Sequence, residues 1–205
     1  MLMAKKKVEQ KQEMKEEREE KKQEKESKEK VEKIKPFKAL IVGERVISAE
    51  REAKQLYDKS NYGEIAEDKV YYSLVEALYL LDKRRVVVYD GKKKLDFDSF
   101  LKKARELEPN FYTRFVVYRD MRNRGYIVKT ALKFGADFRI YEKGVKPGEE
   151  HAKWILFPVY EGSTLTWHDF AAKNRVAHST RKRLLLAIVD DEGDVTFYEC
   201  RWLRP

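Results

Sequence analysis

The apolar residues of this chain fall into short runs whose period switches repeatedly between strand-like and helical. Lys38-Ala39-Leu40-Ile41-Val42 and Arg45-Val46-Ile47-Ser48, parted by Gly43-Glu44, predict two strands around a turn. Ser48 then stands where it would cap a helix with Ala53, Leu56 and Tyr57 on one face, broken by Asn61-Tyr62-Gly63. Val70, Leu74, Leu78 and Leu81 recur at helical spacing and predict a second helix over residues 68–83. Arg85-Val86-Val87-Val88-Tyr89 predicts a strand, and Asp90-Gly91 is a turn signal. Phe100, Leu101, Ala104 and Leu107 mark a third helix, stopped by Pro109-Asn110.

Beyond residue 110 the pattern becomes richer in strands. Phe111, Phe115, Tyr118 and Met121 share one helix face, with Gly125 in the position of a C-terminal cap. Tyr126-Ile127-Val128 opens a series of extended segments. In the next, Phe134, Ala136, Phe138 and Ile140 alternate with Asp137, Arg139 and Tyr141, which puts Tyr141 on the polar face at a strand end. A glycine-containing loop from Glu142 to Gly148 leads to His151, and Ala152–Phe157 reads as the return strand. Thr166 with Asp169 resembles a capping box for a helix running to about Ala177. Leu184–Val189 is a continuous apolar run closed by Asp190-Asp191-Glu192-Gly193-Asp194, which predicts a buried strand and a turn. Val195–Tyr198 pairs back as a hairpin. The order of elements gives an α/β (α+β) chain. A charged tail covers 1–35, a small α/β support domain 36–110, and a mixed-sheet domain 111–205.

Composition alters this picture at two points. Lys and Arg outnumber Asp and Glu by 45 to 36, for a formal charge of +9 and a pI near 9.3, so acidic partners are favoured, nucleic acid first and anionic membrane second. The tail carries 13 basic and 10 acidic side chains but few apolar ones, and its Glu17–Lys21, Glu24–Lys28, Glu26–Lys30 and Glu29–Lys33 pairs support a solvated, partly helical extension. No apolar run reaches the roughly 18 residues of a membrane span, and no signal peptide is expected, which points to a cytoplasmic protein. Cys200 is the single cysteine and its setting is that of a packed thiol, so neither an internal disulfide nor a cysteine-based zinc site is expected.

Candidate chemistry gathers in the second half. Arg175-Val176-Ala177-His178-Ser179-Thr180-Arg181-Lys182-Arg183 places several cations at the mouth of the Leu184 strand, which suits a phosphate ester; the plain alternative is solvated surface. Of the three histidines, His168 falls in the first turn of a helix and His178 at a helix-to-strand junction, as a hydrogen-bonded structural residue. His151 flanks a flexible loop ten residues after Tyr141. Imidazole titrates near neutrality and is suited to proton transfer. Residues 36–110 contain no histidine, cysteine or glycine-rich phosphate loop.

Tyr126-Ile127-Val128-Lys129-Thr130, Phe134–Tyr141, Glu150-His151 and Arg175–Lys182 resemble, in order, the signature blocks of the archaeal tRNA-splicing endonucleases. The likeness covers nearly all of 111–205, and 36–110 fits that family's small N-terminal domain in size and element order. The resemblance implies a tRNA-intron lyase that cuts precursor tRNA at bulge-helix-bulge splice sites without metal or cofactor, leaving a 2′,3′-cyclic phosphate and a 5′-hydroxyl. It implies Tyr141 as the base toward the 2′-OH, His151 as the acid toward the departing 5′ oxygen, and Lys182 as the charge that stabilises the phosphorane. An ordinary phenol has a pKa of about 10, so Tyr141 serves either as a base helped by nearby cations or as a group that orients the hydroxyl. Arg175 matches one side of the family's clamp on a flipped bulge base. Trp202 is a candidate for the other side, or else a core or interface residue. Asp190, Asp191, Glu192 and Asp194 resemble the family's acidic loop that docks on a partner subunit. One motif set per chain and two cuts per intron imply assembly, with a homotetramer favoured over a heterotetramer with a second subunit.

Two alternatives stand beside this reading. A metal-dependent nuclease needs clustered carboxylates with a lysine, a spacing that Asp137 and Glu142-Lys143 do not supply. A non-catalytic RNA-binding or structural subunit of the same complex would lack one of Tyr141, His151 and Lys182.

Overall fold

A computed structural model of the chain describes residues 34–131 and 135–203. The solvated, partly helical tail expected over 1–35 lies outside the described residues as far as residue 33, as does the expected strand start at Phe134; at the tail's described end, Ile34 is buried in the core instead of solvated. The element order is β1 (Phe37–Val42), β2 (Arg45–Ser48), α1 (Arg51–Ser60), β3 (Glu64–Ala66), β4 (Lys69–Ser73), α2 (Leu74–Asp82), β5 (Val86–Asp90), β6 (Lys93–Lys94) and α3 (Phe97–Leu107). It continues with α4 (Phe111–Asn123), β7 (Ile127–Thr130), β8 (Phe138–Tyr141), β9 (Trp154–Tyr160), α5 (Trp167–Ser179), β10 (Arg183–Val189) and β11 (Val195–Cys200). Two mixed sheets result, ordered β3-β4-β2-β1-β5-β6 and β11-β10-β9-β8-β7. In the second, β9 and β10 run parallel and every other pairing is antiparallel.

The α/β (α+β) class holds, with two local corrections in the first half. Residues 69–73, expected inside a helix over 68–83, form β4 and pair with both β2 and β3. The helix begins only at Leu74, because Ser73 and Glu76 close a capping box there. Val70 satisfies the helical spacing, yet it and Tyr71 have strand partners on both sides, in β2 and β3, and Tyr72 pairs with β2. Ser48 is not the cap of α1. That position is held by Glu50, while Ser48 ends β2 with its hydroxyl donating to the Lys38 carbonyl (2.6 Å).

The face of α4 read from the sequence is the keel of the molecule. Phe111, Phe115, Tyr118 and Met121 are all buried, each worth roughly 1.5–3 kcal/mol on the usual scale of apolar transfer. They belong to one continuous core that takes Phe37, Val46, Val70 and Val88 from the first sheet and Val128, Phe138, Ile140 and Leu156 from the second. Gly125, at φ +91°, ends α4 with its N–H on the Arg122 carbonyl (3.1 Å), so β7 starts immediately and returns along the helix. The opposite face of the second sheet is covered by α5, over Ile155, Phe157, Leu184 and Leu186. Thr166 caps α5 as expected, accepting from the Asp169 N–H (3.1 Å).

Polar clamps join the halves. The Lys129 ammonium, on β7, donates to the Gly63 carbonyl, and the Gly63 N–H donates to Glu76 (3.0 Å). At φ +75°, Gly63 has no room for a side chain: a Cβ would lie 2.7 Å from Val70 and 2.8 Å from the Tyr71 carbonyl oxygen. The Arg122 guanidinium donates to the Ser60 carbonyl (2.9 Å) and lies 3.8 Å from the centroid of the Tyr62 ring.

Candidate functional site

Two backbone hydrogen bonds bring three strand ends level. Lys153 N–H donates to the Ile140 carbonyl (2.9 Å), and Arg183 N–H donates to the Lys153 carbonyl (3.0 Å). Tyr141, one residue beyond Ile140, and Lys182, one before Arg183, therefore sit on either side of the start of β9. His151 reaches the same edge at the end of the connecting loop, which an ion pair between Glu142 and Lys153 ties across its base. Tyr141, His151 and Lys182 line a single cavity of about 320 Å³, together with Arg139, Ala152, Ile155 and Thr180. The three candidates, 41 positions apart at the extremes (182 − 141), thus meet in one place.

Depth distinguishes them. His151 is exposed at the mouth, whereas Tyr141 is only 5% exposed. The alternation of β8 assigned Tyr141 to the polar face, and that face is here the wall of a cavity, not open solvent. Strand period decides side and says nothing about cover. The Lys182 ammonium donates to the Thr180 carbonyl (2.9 Å), which aims it along the cavity wall. Burial, and then the charge of Arg139, hold that ammonium below the ordinary lysine range. None of the lining residues is a carboxylate, so a cavity with two fixed cations, an imidazole and a phenol suits an anion that needs proton transfer.

The remaining candidates are spread more widely. Arg175 is exposed on α5, and Trp202, 53% exposed, follows β11. Trp202 lines a second cavity of about 230 Å³ with His178, Lys182, Arg183 and Arg201, and Arg175 is not among the lining residues. His178, expected to be a hydrogen-bonded structural residue, is exposed, and its ring lies 4.7 Å from that of Trp202 at 55°. His168 lies in the first turn of α5, as expected, and is exposed. Asp190, Asp191, Glu192 and Asp194 form the turn from β10 to β11 at the opposite end of the sheet, where Asp191 accepts from the Tyr160 hydroxyl and its N–H donates to Glu161 (3.3 Å). Cys200 is half-buried, and burial pushes its thiol up, consistent with a packed residue.

Arg139 and Thr180 were not singled out by sequence reasoning. For Arg139 a signal existed: two positions before Tyr141 on one strand, it must share that residue's face. Thr180 acts through its carbonyl, which side-chain pattern cannot register. Among the described residues, no helix is long and apolar enough to cross a membrane. No group of three or more His, Cys, Asp or Glu side chains among them is placed to hold a metal ion.

The sequence matches the tRNA intron endonuclease N-terminal domain over residues 37–101 and the tRNA intron endonuclease catalytic C-terminal domain over residues 111–197. The tRNA-splicing endonuclease of Pyrococcus horikoshii is 42% identical over 171 residues, 83% of this chain and 98% of that one. That of Thermococcus kodakarensis is 41% identical over 163 residues, covering 79% and 95%. That of Nanoarchaeum equitans is 49% identical over 138 residues, covering 64% and 88%.

Proposed function

The chain belongs to the tRNA intron endonuclease family and is an endonuclease; from that premise we propose that it excises introns from precursor tRNA by cutting at bulge-helix-bulge sites through attack of the RNA's own 2′-hydroxyl. The observation that carries the reading is the convergence of Tyr141, His151 and Lys182 on one cavity without a carboxylate lining. In the proposed step the O2′–P bond forms as the P–O5′ bond breaks. Tyr141 takes or orients the 2′-hydroxyl proton, His151 delivers a proton to the departing O5′, and the Lys182 ammonium offsets the charge gathering on the phosphorane. The products are a 2′,3′-cyclic phosphate and a 5′-hydroxyl. No metal is assigned a part, since the lining groups supply both proton transfers and the cationic charge.

The same reading makes the enzyme a lyase that binds RNA by shape and exposed bulge bases, with Arg175 and Trp202 as contacts for a bulge base. It places the work in the cytoplasm, with precursor tRNA as the partner. One motif set per chain against two cuts per intron favours assembly, and a homotetramer is the assembly we favour over one with a second kind of subunit. Support comes from β11, an edge strand of the second sheet, which leaves Tyr198 exposed and leads to exposed Trp202 and Leu203. The exposed acidic turn offers a docking element beside it.

The test is cleavage of a bulge-helix-bulge RNA in excess EDTA, with chemical identification of the ends. Cyclic phosphate and 5′-hydroxyl termini are expected, and His151→Ala should lower the rate by about 10²- to 10⁴-fold while RNA affinity stays within a few-fold. Cleavage that stops in EDTA and returns with magnesium would refute the reaction; undiminished cutting by His151→Ala would refute the site.

A further inference from the structure

Resting on that reading of the cavity, we propose that Arg139 is a further catalytic residue, whose guanidinium grips the non-bridging oxygens of the scissile phosphate from the wall facing Lys182. The placement follows from register. On β8, Arg139 and Tyr141 are two residues apart and share a face. Arg139 pairs across the strands with Ile155, which forms the cavity floor, and Lys182 closes the other side. A phosphate whose 2′ neighbour reaches Tyr141 and whose 5′ oxygen reaches His151 therefore lies between a guanidinium and an ammonium.

The chemistry of the two cations differs in a way that suits a division of labour. A guanidinium is planar, stays protonated and presents paired N–H groups that match two phosphate oxygens at once. An ammonium is a point charge. During the attack, negative charge spreads over both non-bridging oxygens, so one fork and one point charge can hold the pair as the trigonal bipyramid forms. Arg139 transfers no proton in this step, and the bonds made and broken are unchanged.

The setting of Arg139 gives it a reason to favour an anion. Its partner across β7 is Lys129, whose ammonium is buried and fixed on the Gly63 carbonyl. Arg139 thus stands between Lys129 on the neighbouring strand and Lys182 in the cavity, and no lining residue is acidic. The repulsion is strong enough to weigh on Lys182, whose ammonium is held down by burial first and by Arg139 second. A bound phosphate relieves that repulsion, and a phosphorane relieves more of it, which is the direction that accelerates a reaction.

The experiment uses the full-length protein and single-turnover cleavage of a bulge-helix-bulge RNA. Arg139→Gln should slow the cleavage step by about 10²- to 10³-fold, the usual loss for one transition-state donor, with RNA affinity changed only a few-fold. Arg139→Ala should regain rate with added guanidinium ion and not with methylammonium, a response that a packing role cannot produce. Should either variant fail to fold, Arg139→Lys keeps the charge without the fork and should still lose about tenfold. Wild-type rates in Arg139→Gln or Arg139→Lys, or a loss that guanidinium leaves untouched, would overturn the proposal. His151→Ala is run beside them. If it is inactive while Arg139→Gln cuts normally, only the role of Arg139 falls; if His151→Ala itself cuts normally, the site reading falls and this proposal with it.

Discussion

Lys182 shows how one side chain's charge state is set by what surrounds it. Its ammonium donates to the Thr180 carbonyl of its own segment, and Lys182 shares a cavity with Arg139 and Tyr141 from β8 and His151 from the connecting loop. Burial and Arg139 both disfavour the charged form, so its pKa lies below the ordinary lysine value of 10.5. The sign follows directly. If the ammonium stabilises the phosphorane, its own contribution to the rate is present while Lys182 is protonated and is lost as pH rises through that lowered pKa, producing one limb of the profile at the alkaline end. In Arg139→Gln one of the two causes is gone. The alkaline limb should then move upward, toward 10.5, even as the plateau falls. A pH–rate profile for the cleavage step tests this, because limb and plateau move in opposite senses. A limb that stays in place would mean that the guanidinium's charge does not reach Lys182.

At the scale of elements, the second sheet is fastened at the edge that bears the candidate site by one carboxylate. Glu199 on β11 accepts from the Trp154 indole of β9 (2.7 Å), from Arg201 (2.7 Å) and from Arg183 of β10 (3.3 Å). Those donors, the indole first, lower its pKa from 4.5 to about 2. A carboxyl depressed in the native state contributes stability that is complete above the unfolded value of 4.5 and vanishes as pH falls toward 2. Glu199→Gln should therefore lower Tm at pH 6, and the gap from wild type should narrow steadily between pH 4.5 and 2 in thermal scans. A gap independent of pH would show that the lost donor geometry, not the charge, sets the cost. This edge also marks how far the sequence could be read. The strands themselves were legible because their apolar runs alternate or stay continuous, and α4 was legible from four aromatic and methionine positions on one face. Helix 68–83 was misplaced because Val70 fits a helical spacing by coincidence, while its pairing with β2 and β3 is non-local. Tyr141 could be assigned a face but not a depth, since its cover comes from the His151 loop and the Lys182 segment. The candidate trio came from resemblance to a family, and the one sequence signal for Arg139, its place two residues before Tyr141 on the same strand face, gave no sign that this face walls a cavity.

At the scale of the whole molecule, the question is whether the two sheets fold as one. The apolar core does not stop between them: α4 contributes Phe111, Phe115 and Tyr118 to a cluster that includes Val46 and Val88 on one side and Phe138 and Ile140 on the other. Rings continue the path, from Tyr79 to Tyr118 (5.7 Å) and from Tyr118 to Phe138 (5.9 Å). Lys129 on Gly63 and Arg122 on Ser60 add polar clamps at the junction, and leaving either cation without its partner would cost more than the bond itself is worth. Neither half can then expose its side of α4 without loss to the other, which predicts a single cooperative transition. The chain supplies its own reporters, because its three tryptophans, Trp154, Trp167 and Trp202, all lie in the second half, whereas far-ultraviolet circular dichroism sees both halves. At a fixed protein concentration, denaturant curves from tryptophan fluorescence and from circular dichroism should coincide. Phe138→Ala should shift both together by about 3–5 kcal/mol, although Phe138 lies in the second sheet alone. Loss of dichroism in a separate phase, before any change at the tryptophans, would mean that the first sheet unfolds independently and that α4 belongs to one half. The coupling reaches the candidate site, since β7, which carries Lys129, is also the pairing partner of the strand that holds Arg139 and Tyr141. The first half thereby helps fix the cavity wall that Arg139 and Tyr141 line.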